Sequence, residues 1–304
     1  MYLRLKKMDQ FTKNIILAGG NDGENWLNSL PSLVSFFTEK WQLAALSPVK
    51  NLSYNFILKG YRKKDNFKIV LKLGFFKDAI KQEVSALNAY NGNGCAKLLA
   101  FDESSGALLL EQVSPGVSLK TLFPVLDEAA VVHAVRVMQQ LHTQPVIDRT
   151  LFPTIEHWLN ELNCIEKNIL PKNHLERAQE LSSDLLGSQG PSVLLHGDLH
   201  HDNILLSNTG SSLLAIDPKG VIGEPAYEVG AFIRNPMPAL LELPDPSRVI
   251  ARRLTLFADL LKIDKQRLKD WSYVQAILAA CWAAEDGGAW QQWIRCAELI
   301  DKAT

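Results

Sequence analysis

Cysteine is scarce in this chain and never clustered. Cys95, Cys164, Cys281 and Cys296 are scattered over 304 residues, and no two form a C-x-x-C pair. That spacing excludes a disulfide framework or a zinc ribbon and predicts reduced thiols in apolar or helical surroundings. An excess of charge of one sign is missing as well. Lys and Arg number 32 against 33 Asp and Glu, a net charge of -1, so there is no basic field for a nucleic-acid partner. No apolar run reaches the roughly 18 residues of a membrane helix. Asn14 to Ala18, flanked by Lys6, Lys7 and Lys13, is too short for a secretory core and lacks a cleavage site. Met8 offers a second start, which would make the first residues dispensable. Low-complexity tracts and internal repeats are also absent. What remains is ordinary globular composition, long enough for about two domains and expected in the cytoplasm.

The apolar periodicity changes along the chain. Residues 24–42 have a helical period, with Trp26, Leu27, Leu30, Leu33, Phe36 and Phe37 on it. Strand-like runs follow at 54–61 and 67–73, joined by the charged turn Arg62-Lys63-Lys64-Asp65-Asn66. A helix is predicted over 78–90, ended by Asn91-Gly92-Asn93-Gly94, then strands over 96–101 and 107–113. After Pro115-Gly116 the pattern is mainly helical, over 126–143, 154–168, 174–187, 225–233, 247–261, 266–287 and 289–302. Short strands interrupt it between 192 and 217. The expected class is α+β, with a small strand-rich lobe at 1–113 and a larger helical lobe at 114–304.

The chemistry concentrates in Leu194-Leu195-His196-Gly197-Asp198-Leu199-His200-His201-Asp202-Asn203-Ile204-Leu205-Leu206 and the following Leu213-Leu214-Ala215-Ile216-Asp217-Pro218-Lys219-Gly220. His196, Asp198, Leu199 and Asn203 match the kinase catalytic loop H-R-D-L-x-x-x-N. Phosphoryl transfer needs in-line positioning and charge neutralisation more than covalent help. Asp198 is placed to orient the attacking hydroxyl and take its proton late. Asn203 and Asp217 supply the hard oxygen ligands that magnesium prefers. The plain alternative is a polar turn with Asx caps, which does not account for the full pattern between apolar strands. His196 is expected to pack beneath the loop and hold the backbone at Asp198. His200 and His201 are expected as exposed turn residues, the alternative being that one of them faces the phosphates or substrate.

Lys72 ends the run Ile69-Val70-Leu71-Lys72, like the V-A-I-K strand whose ammonium reaches the nucleotide phosphates. Glu83 on the next helix is its natural ion-pair partner; a snorkelling lysine and a solvated glutamate are the bland alternative. The buried strand from Leu108 breaks into a linker at Ser114, which makes the Glu111 carbonyl and the Val113 amide candidates for binding adenine. A glycine-rich phosphate loop is absent, and Ser53 and Asn55 are the candidates to cover the phosphates in its place. A zinc hydrolase built on His196, Asp198, His200, His201 and Asp202 would leave Lys72, Asn203 and Asp217 unexplained. A nucleotide-binding protein without catalysis would leave the complete set Lys72, Asp198, Asn203 and Asp217 without a purpose.

These segments, together with Gly106 to Glu111, Gly223-Glu224-Pro225-Ala226-Tyr227-Glu228 and Trp282-Ala283-Ala284-Glu285-Asp286-Gly287, resemble the aminoglycoside phosphotransferases. The resemblance is nearest to the streptomycin 6-kinase and hydroxyurea-kinase branch and covers nearly the whole chain. It implies a two-lobed protein-kinase-like fold, ATP and magnesium as cofactors, Asp198 as base, and Asn203 and Asp217 as metal ligands. It implies a small hydroxyl-bearing substrate, streptomycin-like first, and no nucleic-acid or membrane partner. Gly197 stands where protein kinases carry an arginine, and Asp217-Pro218-Lys219 replaces D-F-G, so activity without phosphorylation control is expected. An aminoglycoside is a polycation and calls for an acidic site. Glu285 and Asp286 follow Trp282 by three and four residues on one helical face and are the expected substrate acids, with Trp282 as an aromatic wall. Glu224 is a further candidate, and Glu228 is expected to brace its helix.

Overall fold

The computed structural model describes residues 10–50, 52–145, 148–166, 169–208, 213–285 and 287–304. The second start expected at Met8 and the substrate acid expected at Asp286 lie outside the described residues. The chain divides into two compact units, Met1–Gly92 with Ala96–Gln112, and Asn93–Cys95 with Val113–Thr304.

In the first unit, α1 (Gln10–Lys40) lies beside an antiparallel sheet. The strands are β1 (Leu43–Pro48), β2 (Asn55–Arg62), β3 (Phe67–Gly74), β4 (Leu98–Asp102) and β5 (Ala107–Glu111), in the order β1-β2-β3-β5-β4. Helix α1 begins well before the predicted residue 24. Phe11 and Ile15, one turn apart, bury its first half, and Gly20 kinks it at φ 51°. The sheet's buried face, with Phe56, Leu58, Ile69, Leu71, Leu73 and Leu109, packs on Leu27, Leu30 and Phe37 of that helix. The β2–β3 hairpin turns where the charged pentapeptide predicts it, with Arg62 Nη2 2.7 Å from Asp65 Oδ2. Helix α2 (Lys77–Tyr90) ends on Asn91 in the left-handed conformation, whose N–H caps the Leu87 carbonyl. Strand β1 has no sequence signal of its own. It buries only Leu43 and pairs with β2 through an irregular register.

The second unit is mainly helical. Its helices are α3 (Asp127–His142), α4 (Ile155–Leu159), α5 (Glu161–Cys164), α6 (Lys172–Gly187), α7 (Pro225–Ile233), α8 (Pro246–Leu261), α9 (Lys265–Glu285) and α10 (Gln291–Lys302). The helix predicted over 154–168 is shorter and interrupted. The chain leaves α5 at Ile165, where ψ swings to 133°. Helix α9 is buried around its whole circumference from Trp271 to Cys281, as befits a helix at the centre of a domain. Short strands hold the loops that matter: β7 (Val193–Leu195) pairs with β10 (Val221–Gly223), and β6 (Pro115–Ser118) flanks the hairpin of β8 (Ile204–Ser207) and β9 (Leu213–Ala215). Asn93–Cys95 belongs to this unit because the Ala215 N–H donates to the Gly94 carbonyl. Three cysteines are buried as expected, whereas Cys164 is exposed near the end of α5. No described helix is long and apolar enough to cross a membrane.

Candidate active site

The loop from His196 to Asn203 joins β7 to β8 and is held from beneath. Glu228, fully buried on α7, accepts the backbone N–H of His196 at 2.6 Å on one oxygen and that of Gly197 at 2.9 Å on the other. The His196 ring is also buried. Its Nε2 donates to the Ile216 carbonyl at 2.9 Å and its Nδ1 accepts the Asp198 N–H at 3.2 Å, the tautomer that both partners require. The His196 carbonyl in turn accepts the N–H groups of Lys219 and Gly220 at 2.8 and 3.1 Å. The Ile216 N–H donates to the Asn203 carbonyl at 2.9 Å. Asp198, Asn203 and Asp217 therefore sit on backbone segments stitched to one another, although 19 positions separate the first from the last.

Gly197 has a local physical reason. Its φ is +85°, and an added Cβ would stand 2.7 Å from Trp158 Cη2. An arginine in its place would meet both backbone strain and the indole.

Asp198 is partly exposed, with 28% of its side chain accessible. Burial by itself would raise its carboxyl, but His200 at 3.6 Å, Arg234 at 3.5 Å and the charge of Lys219 outweigh it and hold the pKa at about 2. The carboxylate is therefore ionised at every working pH. Asn203 donates its amide N–H to the Asp198 carbonyl at 2.9 Å, which orients the amide. Asp217 adopts φ 61° directly after β9, and Lys219 Nζ lies 3.0 Å from its carboxylate.

His201 departs from the exposed position expected of it. It is fully buried, stacked on Phe232 at 3.8 Å between ring centroids, with Nε2 3.3 Å from Arg253 Nη2. His200 is half-buried, and its Nδ1 accepts the Asp202 N–H at 3.3 Å. These directions dismantle the zinc-hydrolase alternative: His196 faces the Ile216 carbonyl, His201 faces the core, and Asp202 turns to Lys120 at 3.2 Å.

Burial pushes the His201 imidazole down from 6.5 to about 4, with Asp127 opposing and Arg253 adding to the shift. The unfolded chain takes up this proton near pH 6.5, and the folded chain only near 4. Stability is thus complete above the unfolded value and declines as pH falls through that window, by at most about 3 kcal/mol. Urea midpoints at pH 7 and pH 4.5, without nucleotide, should differ more for the wild type than for His201→Gln. Equal pH dependence in the two would refute the assignment.

The remaining sequence-predicted residues divide between the units. In the first, Lys72 and Glu83 are both buried and meet at 2.6 Å, from β3 to α2. Glu111 closes β5, and its carboxylate accepts the Lys97 N–H at 2.8 Å. The Ser53 carbonyl accepts from Asn14 at 3.2 Å, and Asn55 opens β2 opposite Gly74. In the second, Val113 is buried, Trp282 is half-buried and Glu285 is exposed at the end of α9.

Glu224 does not take the place expected of a substrate acid. Buried at the N-cap of α7, it is gripped by Arg267 through Nε at 2.9 Å and Nη2 at 2.6 Å, and by the indole N–H of Trp271. Both of its oxygens contact Arg267 within the fold. Two neighbours of the loop escaped the sequence reading. Arg234 follows an almost wholly apolar helix, and that abrupt charge was its only signal. Trp158 had none.

A β-sheet unit, a helical unit and a stitched Asp–Asn–Asp loop system define a phosphotransferase of the kinase-like fold class, acting on hydroxyl groups. Solved structures agree on the fold. The choline kinase LicA from Streptococcus pneumoniae superposes with a TM-score of 0.66 at 14% identity, over 90% of this chain and 99% of that one. A thermostable mutant of aminoglycoside phosphotransferase APH(4)-Ia, solved with ADP and hygromycin B, gives 0.63 at 13% identity, over 89% and 98%. Within that class, the chain belongs to the aminoglycoside/hydroxyurea antibiotic resistance kinase family, whose pattern matches residues 57–287. Among relatives, the streptomycin 6-kinase of Streptomyces griseus is 25% identical over 284 residues, 92% of this chain and 91% of the relative.

Proposed function

We propose that this chain transfers the γ-phosphate of ATP, with magnesium, to a hydroxyl of an aminoglycoside, streptomycin-like first. The observation that carries this reading is the ionised Asp198, fixed between Arg234 and His200 on a loop stitched to the Asn203 and Asp217 backbones. Asp198 accepts the hydrogen bond of the acceptor hydroxyl, orients it in line, and takes its proton as the acceptor oxygen bonds to the γ-phosphorus and the bond from that phosphorus to the bridging oxygen breaks, with ADP leaving. Residues 1–113 act as the nucleotide lobe and 114–304 as the acceptor lobe. Lys72, braced by Glu83, contacts the phosphates, Ser53 and Asn55 cover them, and Glu111 and Val113 offer backbone groups to adenine. Asn203 and Asp217 would hold magnesium through hard oxygens, where the ion neutralises charge on the phosphates. The likeness to a streptomycin 6-kinase supports the acceptor class, and the ADP in a structure of the same fold supports the nucleotide. Work on such an acceptor fits a cytoplasmic enzyme.

The test is a coupled ADP-release assay with ATP and magnesium over streptomycin, kanamycin and hydroxyurea. Turnover with streptomycin is the expected result. Nucleotide binding without turnover on any of them would move the acceptor to another small alcohol or amino sugar, which is the alternative this site admits.

A further inference from the structure

Arg253 and Arg267 commit every side-chain nitrogen to the fold. Arg253 grips Asp127 through Nε and Nη2 at 2.9 and 2.6 Å, and its Nη1 reaches three backbone carbonyls. Arg267 grips Glu224 through Nε and Nη2 at 2.9 and 2.6 Å, with Nη1 on Ser188 Oγ at 3.0 Å. These are the distances that a guanidinium and a carboxylate reach when each serves the other alone.

Arg234 behaves differently. It is only 8% exposed, yet its side chain makes one polar contact among the described residues, Nη2 to Asp198 Oδ1 at 3.5 Å. Its Nε is buried without an acceptor. A charge-assisted bond of this kind closes to about 2.7–2.9 Å, so this pair stands apart. Other groups set the place of the guanidinium. The Arg234 N–H donates to the Gly230 carbonyl at 3.2 Å, and Arg253 holds the carbonyls on either side, those of Ile233 and Asn235. Its Cζ stands 5.4 Å from the ring centroid of Trp293 on α10. A π face offsets part of the positive charge and takes none of the N–H groups. The other cations near Asp198 do not close on it either. His200 is 3.6 Å from its second oxygen, and Lys219 lies 3.0 Å from Asp217. A buried cation with open donors, beside a carboxylate that it does not close upon, calls for a second anion.

We propose that Arg234 is a catalytic residue, which balances Asp198 before transfer and donates to the equatorial oxygens of the phosphoryl group during it. The inference rests on the kinase reading, because it needs a phosphoryl group beside Asp198. In that step the acceptor hydroxyl gives its proton to Asp198 and its oxygen bonds to the γ-phosphorus. The bond from that phosphorus to the bridging oxygen breaks, and its electron pair leaves with ADP. Asp198 is neutral once it holds the proton. The guanidinium thus loses its counter-charge as an anionic phosphoryl reaches the acceptor oxygen. With no donor tied down at hydrogen-bond distance, it can turn to that group. Trp293 enters as a positioning residue that seats the guanidinium through the exchange.

Steady-state ADP release and calorimetry on the full chain test this, with Arg234→Gln and Trp293→Leu. Arg234→Gln should lower kcat about 10²- to 10³-fold. Both KM values should hold, the mark of an interaction made only in the transition state. Magnesium ADP with aluminium fluoride and streptomycin, a mimic of the phosphoryl in flight, should bind the wild type more tightly than magnesium ADP alone. That gain should shrink about a hundredfold in Arg234→Gln, while magnesium ADP alone binds both proteins equally. Trp293→Leu, which leaves every group at Asp198 in place, should lose part of both effects, and it carries the test if Arg234→Gln does not fold. A raised acceptor KM with unchanged kcat would make Arg234 an acceptor ligand and overturn the proposal. An undiminished aluminium-fluoride gain in both variants would overturn it too. Either outcome leaves the kinase reading intact when the wild type releases ADP. A wild type that releases no ADP with any acceptor sinks the kinase reading, and this inference with it.

Discussion

Asp198→Asn is expected to lower kcat by about 10²- to 10⁴-fold while leaving the nucleotide KM and the unfolding midpoint nearly unchanged. The amide keeps the size of the side chain and still accepts a hydrogen bond from the acceptor, but it takes no proton and carries no charge. Stability should survive, because the carboxylate is partly exposed and its contacts to Arg234 and His200 are long, at 3.5 and 3.6 Å. Steady-state ADP release and a urea titration, run on the same preparation, check both halves. A variant with more than about a tenth of wild-type kcat would show that no proton moves to this residue in the rate-limiting step. The pH profile adds a second constraint. With its pKa held at about 2, Asp198 contributes no acid limb to the rate above about pH 4. An acid limb near neutrality that disappears in Asp198→Asn would contradict the geometry.

Arg253→Met is expected to cost about 3–5 kcal/mol of stability. Arg253 is fully buried and bonds to both oxygens of Asp127, at 2.9 and 2.6 Å. It also donates to the carbonyls of Phe232, Ile233 and Asn235, at 3.2, 3.2 and 2.5 Å. These carbonyls lie at the end of α7, where a helix leaves acceptors without intrahelical partners. Methionine fills much of the volume but strands a buried carboxylate and frees those acceptors. The companion Asp127→Leu/Arg253→Met double variant should lose less than the sum of the two single losses, because it removes both charges together. Urea unfolding of the four proteins of the cycle measures this. A single-variant loss below about 1 kcal/mol would mean that the end of α7 is held by packing instead. Because α7 carries Glu228 and is followed by Arg234, loosening its end should also lower kcat in whatever fraction stays folded.

Local signals were legible because they obey short-range rules. Lys72 stands out as a lysine ending an apolar strand, and Glu83 as an acid on the helix that follows. Their buried contact at 2.6 Å needs only a strand, a tight connection and one helical turn. His196 was readable as a bracing residue because the alternation of apolar strand and polar loop leaves it at the boundary. The hairpin turn at Arg62–Asp65 and the helix stop at Asn91 follow from turn chemistry alone. The same reasoning failed for His201, where a polar loop context suggested exposure. Its burial depends on Asp127 and Phe232 arriving from two other helices.

The sequence by itself determined the class of chemistry. Asp198, Asn203 and Asp217 lie within one strand–loop–hairpin segment, and their order and spacing are local properties. Tertiary structure decided which nearby charges serve that loop and which serve the core. Glu224 and Glu228 are one helical turn apart, and nothing in their spacing separates them. Only the arrival of Arg267, 43 residues away, commits Glu224 to the fold, while Glu228 turns to the loop backbone. The Asp127–Arg253 pair spans 126 residues, and the edge-to-face contact of Trp158 with Trp282 joins α4 to α9. Such partners are chosen by how helices pack, and packing is a property of the whole core that no window of sequence contains.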